Sequence, residues 1–213
     1  MSRPMDIAYQ FIKKRILDGT FKPSQKLNEM DLSAEVGVSR NTVKKALLKL
    51  QQEQLVEVQN NKGANVKSYT LDEVVNYLEI REVLEVFVAK NATSNISEAE
   101  IAKLSETLNR MKDHLEHNRY DEYSKLNNEF HKIIYDACTN KQAVQMIKVI
   151  KNQLARYHIR TILVPNRNTK SYAEHLAILE AIKARDKDAV AEAIQIHISN
   201  VRKTIEEHSS ILL

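Results

Sequence analysis

Four residues in the second half of the chain have side chains that commonly hold metal ions. Asn127 and His131 are four residues apart, so on a helix they project from the same face. His175 and His197 lie in later segments with helical periodicity. If the three imidazoles and the amide oxygen converge inside a helical bundle, they form a transition-metal site with open coordination positions. The ordinary alternative is that each histidine is a separate surface or core residue.

A second group of chemically informative residues lies near the N-terminus, in residues 37–47. Gly37 ends one short predicted helix, and Ser39 is placed to cap the next helix, with Thr42 at its third position. This pattern is typical of a helix-turn-helix that presents a recognition helix to the major groove of DNA. The first turn and a half of that helix carries four polar candidates for DNA contact, Arg40, Asn41, Lys44 and Lys45.

Each of these four side chains has a distinct expected role. Arg40 can read guanine edges or hold phosphate, and Asn41 can pair with adenine or cap the helix locally. Lys44 and Lys45 are expected to contact phosphates. The alternative is a basic helix face that is simply solvated.

Flanking segments supply the elements that would position this helix. Residues 55–58 alternate between apolar and polar, 59–63 are predicted to turn, and 64–66 to return, so the segment is interpreted as a β-hairpin with Gly63 at its tip. Lys62, beside that glycine, would reach a phosphate or the minor groove. The pattern in residues 1–68 therefore predicts a winged helix-turn-helix domain. Before the recognition helix, the pattern predicts a helix, a turn and a short helix at 5–17, 21–27 and 28–36.

Charge is distributed unevenly along the 213 residues. Residues 1–68 contain 12 Lys and Arg against 7 Asp and Glu, a balance of +5, and the remainder contains 20 against 21, a balance of −1. A basic first third favours a polyanion-binding surface there. The 3 Gly, 3 Pro and absence of Trp disfavour a turn-rich β architecture.

The sequence shows no signal-peptide pattern and no apolar run long enough to span a membrane. A single cysteine, Cys138, excludes an intramolecular disulfide and is expected to be a small buried residue. These features predict a protein of the reducing cytoplasm without a membrane partner.

Residues 69–213 carry helical signals throughout and form the second predicted domain. Thr70 with Glu73, and Ser97 with Glu100, have the spacing of capping boxes that open helices. Six periodic segments with short connections are predicted, at 70–92, 97–117, 120–138, 141–162, 169–184 and 187–208. The expected fold class is mainly α, with a winged helix-turn-helix followed by an antiparallel all-α bundle of six helices.

With the wing in place, the first domain resembles that of the GntR family of bacterial transcription regulators. The supporting residues are 16–19, Pro23, Leu27, 38–47, Leu50, Leu55-Val56, Lys62-Gly63-Ala64 and Val66. The family usually has Thr-Pro where this chain has Asn41-Thr42, and Arg-Glu where it has Lys44-Lys45. The resemblance implies a homodimer that binds double-stranded operator DNA, with contacts from Ser39, Arg40, Asn41, Thr42, Lys44, Lys45, Lys62 and Gly63.

The helical domain resembles the FCD effector domain of the FadR subfamily. The resemblance rests on residues 79–85, Asn127-x-x-Phe130-His131, Asn140 and Glu174-His175-x-x-Ile178-Leu179-x-Ala181-Ile182. In metal-binding members an Asp and three His hold a divalent ion beneath a small-molecule cavity. Those ligands carry over onto Asn127, His131, His175 and His197, with a neutral amide in place of the carboxylate. Zinc or nickel is implied rather than calcium, because imidazole ligands dominate.

One charged residue, Arg81, lies within the strongly apolar predicted helix at 70–92 and needs a partner there. Glu85, one turn further on, can be that partner. The alternative is an anionic effector, because a guanidinium binds a carboxylate through two hydrogen bonds. Arg156 is a weaker candidate for effector binding.

The predicted function is that of a bacterial DNA-binding transcription regulator, with repression expected. A small carboxylate effector, a divalent metal or both would control its affinity for the operator. Two alternatives remain open on the residues alone. One is a metal-dependent hydrolytic enzyme, which is disfavoured because no general base or nucleophile accompanies the histidines. The other is a regulator whose metal site has been lost.

Overall fold

The computed structural model describes residues 3–59, 63–161 and 164–209, with the backbone alone described for residues 156–160. The chain divides into two compact units. The first consists of Met1–Thr70 with Lys151–Arg156, and the second of Leu71–Ile150 with Tyr157–Leu213.

Within the described residues, the first unit contains helices and a small antiparallel sheet in which β3 lies between β1 and β2. Val58 of β2 pairs with Ala64 of β3, so the two strands form the predicted wing. The elements follow one another as α1 (Pro4–Leu17), β1 (Lys26–Leu27), α2 (Glu29–Val36), α3 (Arg40–Gln52), β2 (Val56–Gln59) and β3 (Gly63–Val66).

The short strand β1 was not predicted. The sequence indicates only a turn at residues 21–27, but Lys26 and Leu27 pair with Asn65 and Ala64 of β3. Two residues are too few to show a strand period, and their partners lie almost forty residues later in the chain. The pairing ties the second strand of the wing to the segment that leads into α2.

The core of the first unit follows the helical period read from the sequence. Val43, Ala46, Leu47 and Leu50 of α3 are each at most 1% exposed. They belong to one buried apolar cluster with Ile12 of α1 and with the wing. Because these four residues face the core, the other side of α3 must face solvent.

The second unit is built from helices that begin directly after the wing. Ser97 and Glu100 form the predicted capping box, in which the Glu100 side chain accepts from the Ser97 N–H at 2.8 Å. The predicted segment at 169–184 is found as a helix that starts two residues earlier. In chain order these helices are α4 (Leu71–Asn95), α5 (Glu98–Glu116), α6 (Tyr120–Ala137), α7 (Lys141–Thr161), α8 (Arg167–Lys183) and α9 (Lys187–Glu207). Of α7, Lys151–Arg156 is grouped with the first unit.

The second unit buries its apolar residues where α4 packs on α6 and α9, α5 on α6 and α8, and α8 on α9. Phe130 and Ile178 are fully buried in its core. Cys138 is fully buried, as expected. Across the part of the chain that the structure describes, no helix combines the length and the apolar character that a membrane span requires.

Candidate functional site

The N-terminal end of α3 is held by local hydrogen bonds. α2 is followed by Gly37, whose φ of 72° is the left-handed conformation that glycine adopts without strain. Ser39 caps α3, and its hydroxyl accepts from the Thr42 N–H at 3.2 Å. The Thr42 hydroxyl lies 2.8 Å from the same Ser39 oxygen. Ser39 and Thr42 are thus used to start the helix, whatever contact they also make with DNA.

Four of the predicted DNA-contacting side chains lie on the solvent face of α3. Arg40, Asn41, Lys44 and Lys45 are all exposed, opposite the buried face of the helix. Among the described residues, no ion pair involves Lys44 or Lys45, whereas Arg40 is paired with Glu29 of α2. The lysines therefore keep their charge available for an external polyanion.

The wing is described up to Gln59 and again from Gly63, so the predicted contact from Lys62 lies outside the described residues. Gly63 has φ of 89°, and a Cβ atom at this position would lie 2.5 Å from the backbone oxygen of Leu27. Gly63 therefore serves the packing of β3 against β1 in addition to any role on DNA.

The second candidate site is a buried cluster of three histidines. His131 comes from α6, His175 from α8 and His197 from α9, and each is at most 1% exposed. One ring nitrogen of each lies within 4.8 Å of those of the other two. The Nε2 atoms of His131 and His175 are 3.1 Å apart. The structure thus brings together the three predicted imidazole ligands.

The Nδ1 atoms of two of the imidazoles lie within hydrogen-bond distance of an oxygen, and that of the third lies further from one. His175 Nδ1 lies 2.5 Å from the Ser171 carbonyl oxygen, and His197 Nδ1 lies 2.7 Å from Glu174 Oε2. His131 Nδ1 is 3.8 Å from Glu85 Oε2. When Nδ1 carries the donated proton, Nε2 keeps a lone pair, which is the tautomer that binds metals with a carbonyl or carboxylate behind it.

Two of these rings are held in the neutral form that a metal ligand needs. Burial, together with the neighbouring His197, lowers the pKa of His175 to about 3. Burial also lowers the pKa of His197, against the opposing effect of Glu174. Both rings are therefore uncharged near neutral pH.

Asn127 lies one helical turn before His131 and is 8% exposed. Its Oδ1 atom is buried and has no hydrogen-bond partner among the described residues. A buried carbonyl oxygen without a donor is costly, so this atom is available to a cation or to a water. Asn127 and His197 line the same cavity of about 20 Å³, together with Arg167 and Ser171. The amide thus faces the space beside the histidine cluster.

Two buried arginines support the cluster through carboxylates. Arg167 binds Glu174 with two hydrogen bonds of 3.1 and 2.9 Å, and Glu174 in turn holds His197. Arg81 donates from Nε to Glu85 Oε1 at 2.6 Å, and Glu85 faces His131. We call these two sets the Arg81 chain (Arg81, Glu85, His131) and the Arg167 chain (Arg167, Glu174, His197).

Of the two predicted effector arginines, the structure describes the side chain of Arg81. Arg81 is 2% exposed and is paired with Glu85, the partner one turn away. Burial alone would lower the pKa of Arg81, but Glu85 and Tyr135 hold it above its ordinary value, so Arg81 stays charged. The side chain of Arg156 lies outside the described residues.

Arg167 was missed by sequence reasoning. Its neighbours Asn166, Asn168 and Thr169 are polar, so nothing in the local pattern indicates burial. The available signal was its spacing of seven residues from Glu174, which places the two side chains on one face of a helix.

Comparison with known proteins identifies the family. The profile of the FCD domain matches residues 76–200, more than half of the chain, and the profile described as "Bacterial regulatory proteins, gntR family" matches residues 5–66. The chain belongs to the GntR family and carries an FCD domain.

Relatives of this GntR-family protein cover nearly its whole length. The HTH-type transcriptional repressor RspR of Escherichia coli (strain K12) is 25% identical over 199 residues, which span 93% of this chain and 87% of RspR. The uncharacterized HTH-type transcriptional regulator YdhC of Bacillus subtilis (strain 168) is 25% identical over 193 residues, which span 90% of this chain and 86% of YdhC. The structure of E. coli McbR/YncC is similar in fold, with a TM-score of 0.80 and 20% identity over 98% of this chain and 100% of that one.

These findings decide the class of the protein. The GntR-family chain is a DNA-binding transcription regulator with a winged helix-turn-helix and a helical FCD domain. Its family and relatives are regulators of transcription and not enzymes, so the hydrolytic alternative is set aside. The histidine cluster therefore has to be interpreted as part of a regulator.

Proposed function

We propose that this GntR-family regulator holds a divalent metal ion in its FCD domain on His131, His175 and His197, with Asn127 as a fourth ligand. The observation that supports this most strongly is the set of three buried imidazoles whose ring nitrogens converge, two of them hydrogen-bonded to an oxygen at Nδ1. The unpartnered Oδ1 of Asn127 adds a fourth donor beside them. When bound, the ion supplies a positive charge with open coordination positions to which an effector can bind.

Zinc or nickel suits this set of ligands better than calcium. Neutral imidazole nitrogens prefer transition metals, whereas calcium prefers a shell of oxygen ligands. Asn127 contributes a neutral oxygen in place of the Asp of metal-binding family members. The affinity for metal is therefore expected to be lower than that of a site with three imidazoles and a carboxylate.

The charges around the site favour an anionic effector. Arg81 and Arg167 are balanced by Glu85 and Glu174, and the histidine and asparagine ligands are neutral. A divalent ion would thus bring a charge that none of these described groups balances. A carboxylate entering from the cavity beside Asn127 would supply the missing negative charge.

We propose Arg167 as the side chain that binds the effector carboxylate. It is 6% exposed and lines the 20 Å³ cavity beside Asn127 and His197. That volume has room for about one water molecule, so a larger anion requires the cavity to open. Opening would exchange the Glu174 carboxylate for the effector carboxylate on the Arg167 fork, because both fit the same two N–H groups.

Control of DNA follows if the effector prefers one of two conformations of the regulator. We propose that the protein represses transcription as a homodimer bound to double-stranded operator DNA in the bacterial cytoplasm. Paired half-sites on DNA match a protein with two-fold symmetry. The relative RspR is named as a transcriptional repressor, which supports this sign of regulation.

Metal analysis tests the site directly. Wild-type protein purified without chelator and dialysed against zinc or nickel should retain about one ion per chain. His131→Ala should retain almost none, because a site of four ligands loses one of its three nitrogens. The control His117→Ala removes an exposed histidine and should retain as much metal as wild type. Negligible metal in all three proteins would mean that the site has been lost.

The same preparations test the assembly. Light scattering should give twice the 24.5 kDa of one chain for wild type. A mass of one chain at micromolar concentration would contradict the homodimer. Circular dichroism on each variant shows that metal loss is not caused by unfolding.

The effector proposal is tested on Arg167→Lys, which keeps the charge but loses the planar fork. We expect a carboxylate that releases the wild-type protein from DNA to be needed at about 10- to 100-fold higher concentration, since a charged hydrogen bond contributes about 1.5–3 kcal/mol. The measurement is fluorescence anisotropy of labelled DNA titrated with acetate, succinate and citrate. The control Arg185→Lys changes a half-exposed arginine and should not alter the response. An unchanged response in Arg167→Lys would remove Arg167 from the effector site.

A further inference from the structure

Arg40, the first residue of the recognition helix, is exposed and yet held in place. Its side chain is 63% exposed, and its Nε donates to Glu29 Oε2 at 3.0 Å. The Glu29 side chain is only 13% exposed. A solvent-facing arginine is thus tied to a carboxylate that is largely covered by protein.

Glu29 is the fixed member of this pair. It is the first residue of α2, directly after Asn28, whose side chain caps that helix by accepting from the Met30 N–H at 2.8 Å. A carboxylate in the first turn of a helix is stabilised by the free N–H groups and the helix dipole. The position of Glu29 is therefore set by α2, and Arg40 is the longer, movable side chain that meets it.

Glu29 binds the Nε atom of Arg40, and this determines which N–H donors of the guanidinium group remain for DNA. A guanidinium has five N–H groups, and Nε supplies only one of them. Both terminal nitrogens remain available, and these are the two that can reach O6 and N7 of one guanine. The Glu29 charge beside Arg40 also repels phosphate, so it disfavours the alternative contact to the DNA backbone.

The neighbouring lysines show the contrast. Lys44 and Lys45 form no ion pair within the described part of the chain, so they can follow the nearest phosphates. Of the four candidates for DNA contact named on α3, Arg40 is the one with a carboxylate partner among the described residues. α3 thus carries two lysines that can bind phosphates and one arginine that is held by a carboxylate.

We propose that Glu29 is a positioning residue for base recognition, which orients Arg40 toward a guanine and away from the phosphates. Glu29 would then increase the preference for the operator over other DNA more than it increases affinity. Its role is specific to the DNA-binding activity of this regulator and does not depend on the metal or the effector.

The test begins with selection of a binding sequence by the wild-type protein from a randomised duplex pool. Affinities are then measured for the selected duplex and for a shuffled duplex of the same composition, at several salt concentrations. For Glu29→Ala we expect the ratio of the two affinities to fall about tenfold, as for a weakened bidentate guanine contact. The salt dependence on the shuffled duplex should steepen by about one unit per bound protomer, because Arg40 gains a phosphate contact.

Three further variants make the result specific. Glu29→Gln keeps an acceptor for Arg40 Nε and should keep most of the affinity ratio. Glu35→Ala removes the same charge from the same helix, where the carboxylate is paired with Arg15 and not with Arg40. It should leave the ratio of the two affinities unchanged. In an Arg40→Ala background, Glu29→Ala should have no further effect on the ratio.

Each remaining outcome overturns the proposal. An unchanged ratio in Glu29→Ala means that Glu29 does not orient Arg40. An increased ratio means that Glu29 blocks base recognition instead of assisting it. Equal losses on both duplexes, together with a lower melting temperature, mean that the pair only stabilises the fold.

Discussion

Glu85→Leu should lower the free energy of unfolding of the FCD domain by about 3–5 kcal/mol, the cost of leaving one charge of a buried ion pair without its partner. Arg81 and Glu85 are joined at 2.6 Å, and their side chains are 3% and 1% exposed. Removing the carboxylate leaves the Arg81 guanidinium in a nearly dry site. The measurement is urea denaturation followed by circular dichroism on the full chain.

Two controls separate the charge from the packing. Arg81→Met combined with Glu85→Leu removes both charges and should recover most of the loss, because an apolar pair of similar volume is often no less stable than a buried ion pair. Asp136→Leu breaks the Lys132–Asp136 pair, which has the same four-residue spacing but is exposed, and should cost less than about 1 kcal/mol. A loss in Glu85→Leu no larger than that of Asp136→Leu would show that Arg81 finds another partner.

Gly63→Ala should destabilise the DNA-binding domain by about 2–5 kcal/mol and greatly weaken DNA binding. The left-handed conformation at φ of 89° costs a residue with a side chain about 1–2 kcal/mol. The added Cβ would lie 2.5 Å from the Leu27 backbone oxygen, and such overpacking costs about 1–3 kcal/mol more. Because that oxygen belongs to β1, the strand cannot move without losing its pairing to β3.

Gly37→Ala is the matched control for this substitution. Gly37 has a similar φ of 72°, but no atom lies within 4 Å of the position of its Cβ. It should therefore show only the conformational cost of about 1–2 kcal/mol. Denaturation curves and affinity for a selected duplex are compared for the two variants. Equal losses in both would mean that the contact with Leu27 contributes nothing.

The DNA-binding domain could be predicted from the sequence because its signals are local. Val43, Ala46, Leu47 and Leu50 show the period of one helix, and Ser39 marks the start of that helix within a few residues. β1 could not be predicted, because a strand of two residues is defined only by its distant partner. Local patterns therefore determine the elements, and pairing between distant segments does not follow from them.

The histidine cluster of the candidate site also depends on contacts between distant segments. His131, His175 and His197 come from three helices and are separated by 44 and 22 residues, so their spacing alone does not predict contact. The resemblance to the FCD domain predicted that they converge. Arg81 was noticed because its surroundings are apolar, whereas Arg167 has polar neighbours in sequence and is buried only by the packed helices.

α4 carries two members of the Arg81 chain, Arg81 and Glu85, on the helix that follows the wing in the sequence. α4 has 25 residues, which correspond to a rod of about 37 Å, and Glu85 lies about 21 Å from its first residue. Four residues, 67–70, join that first turn to the last strand of the wing. Glu85 therefore lies about four helical turns from the end of α4 that is covalently joined to the wing. The residue that faces His131 and the residues that follow the wing thus belong to one continuous helix.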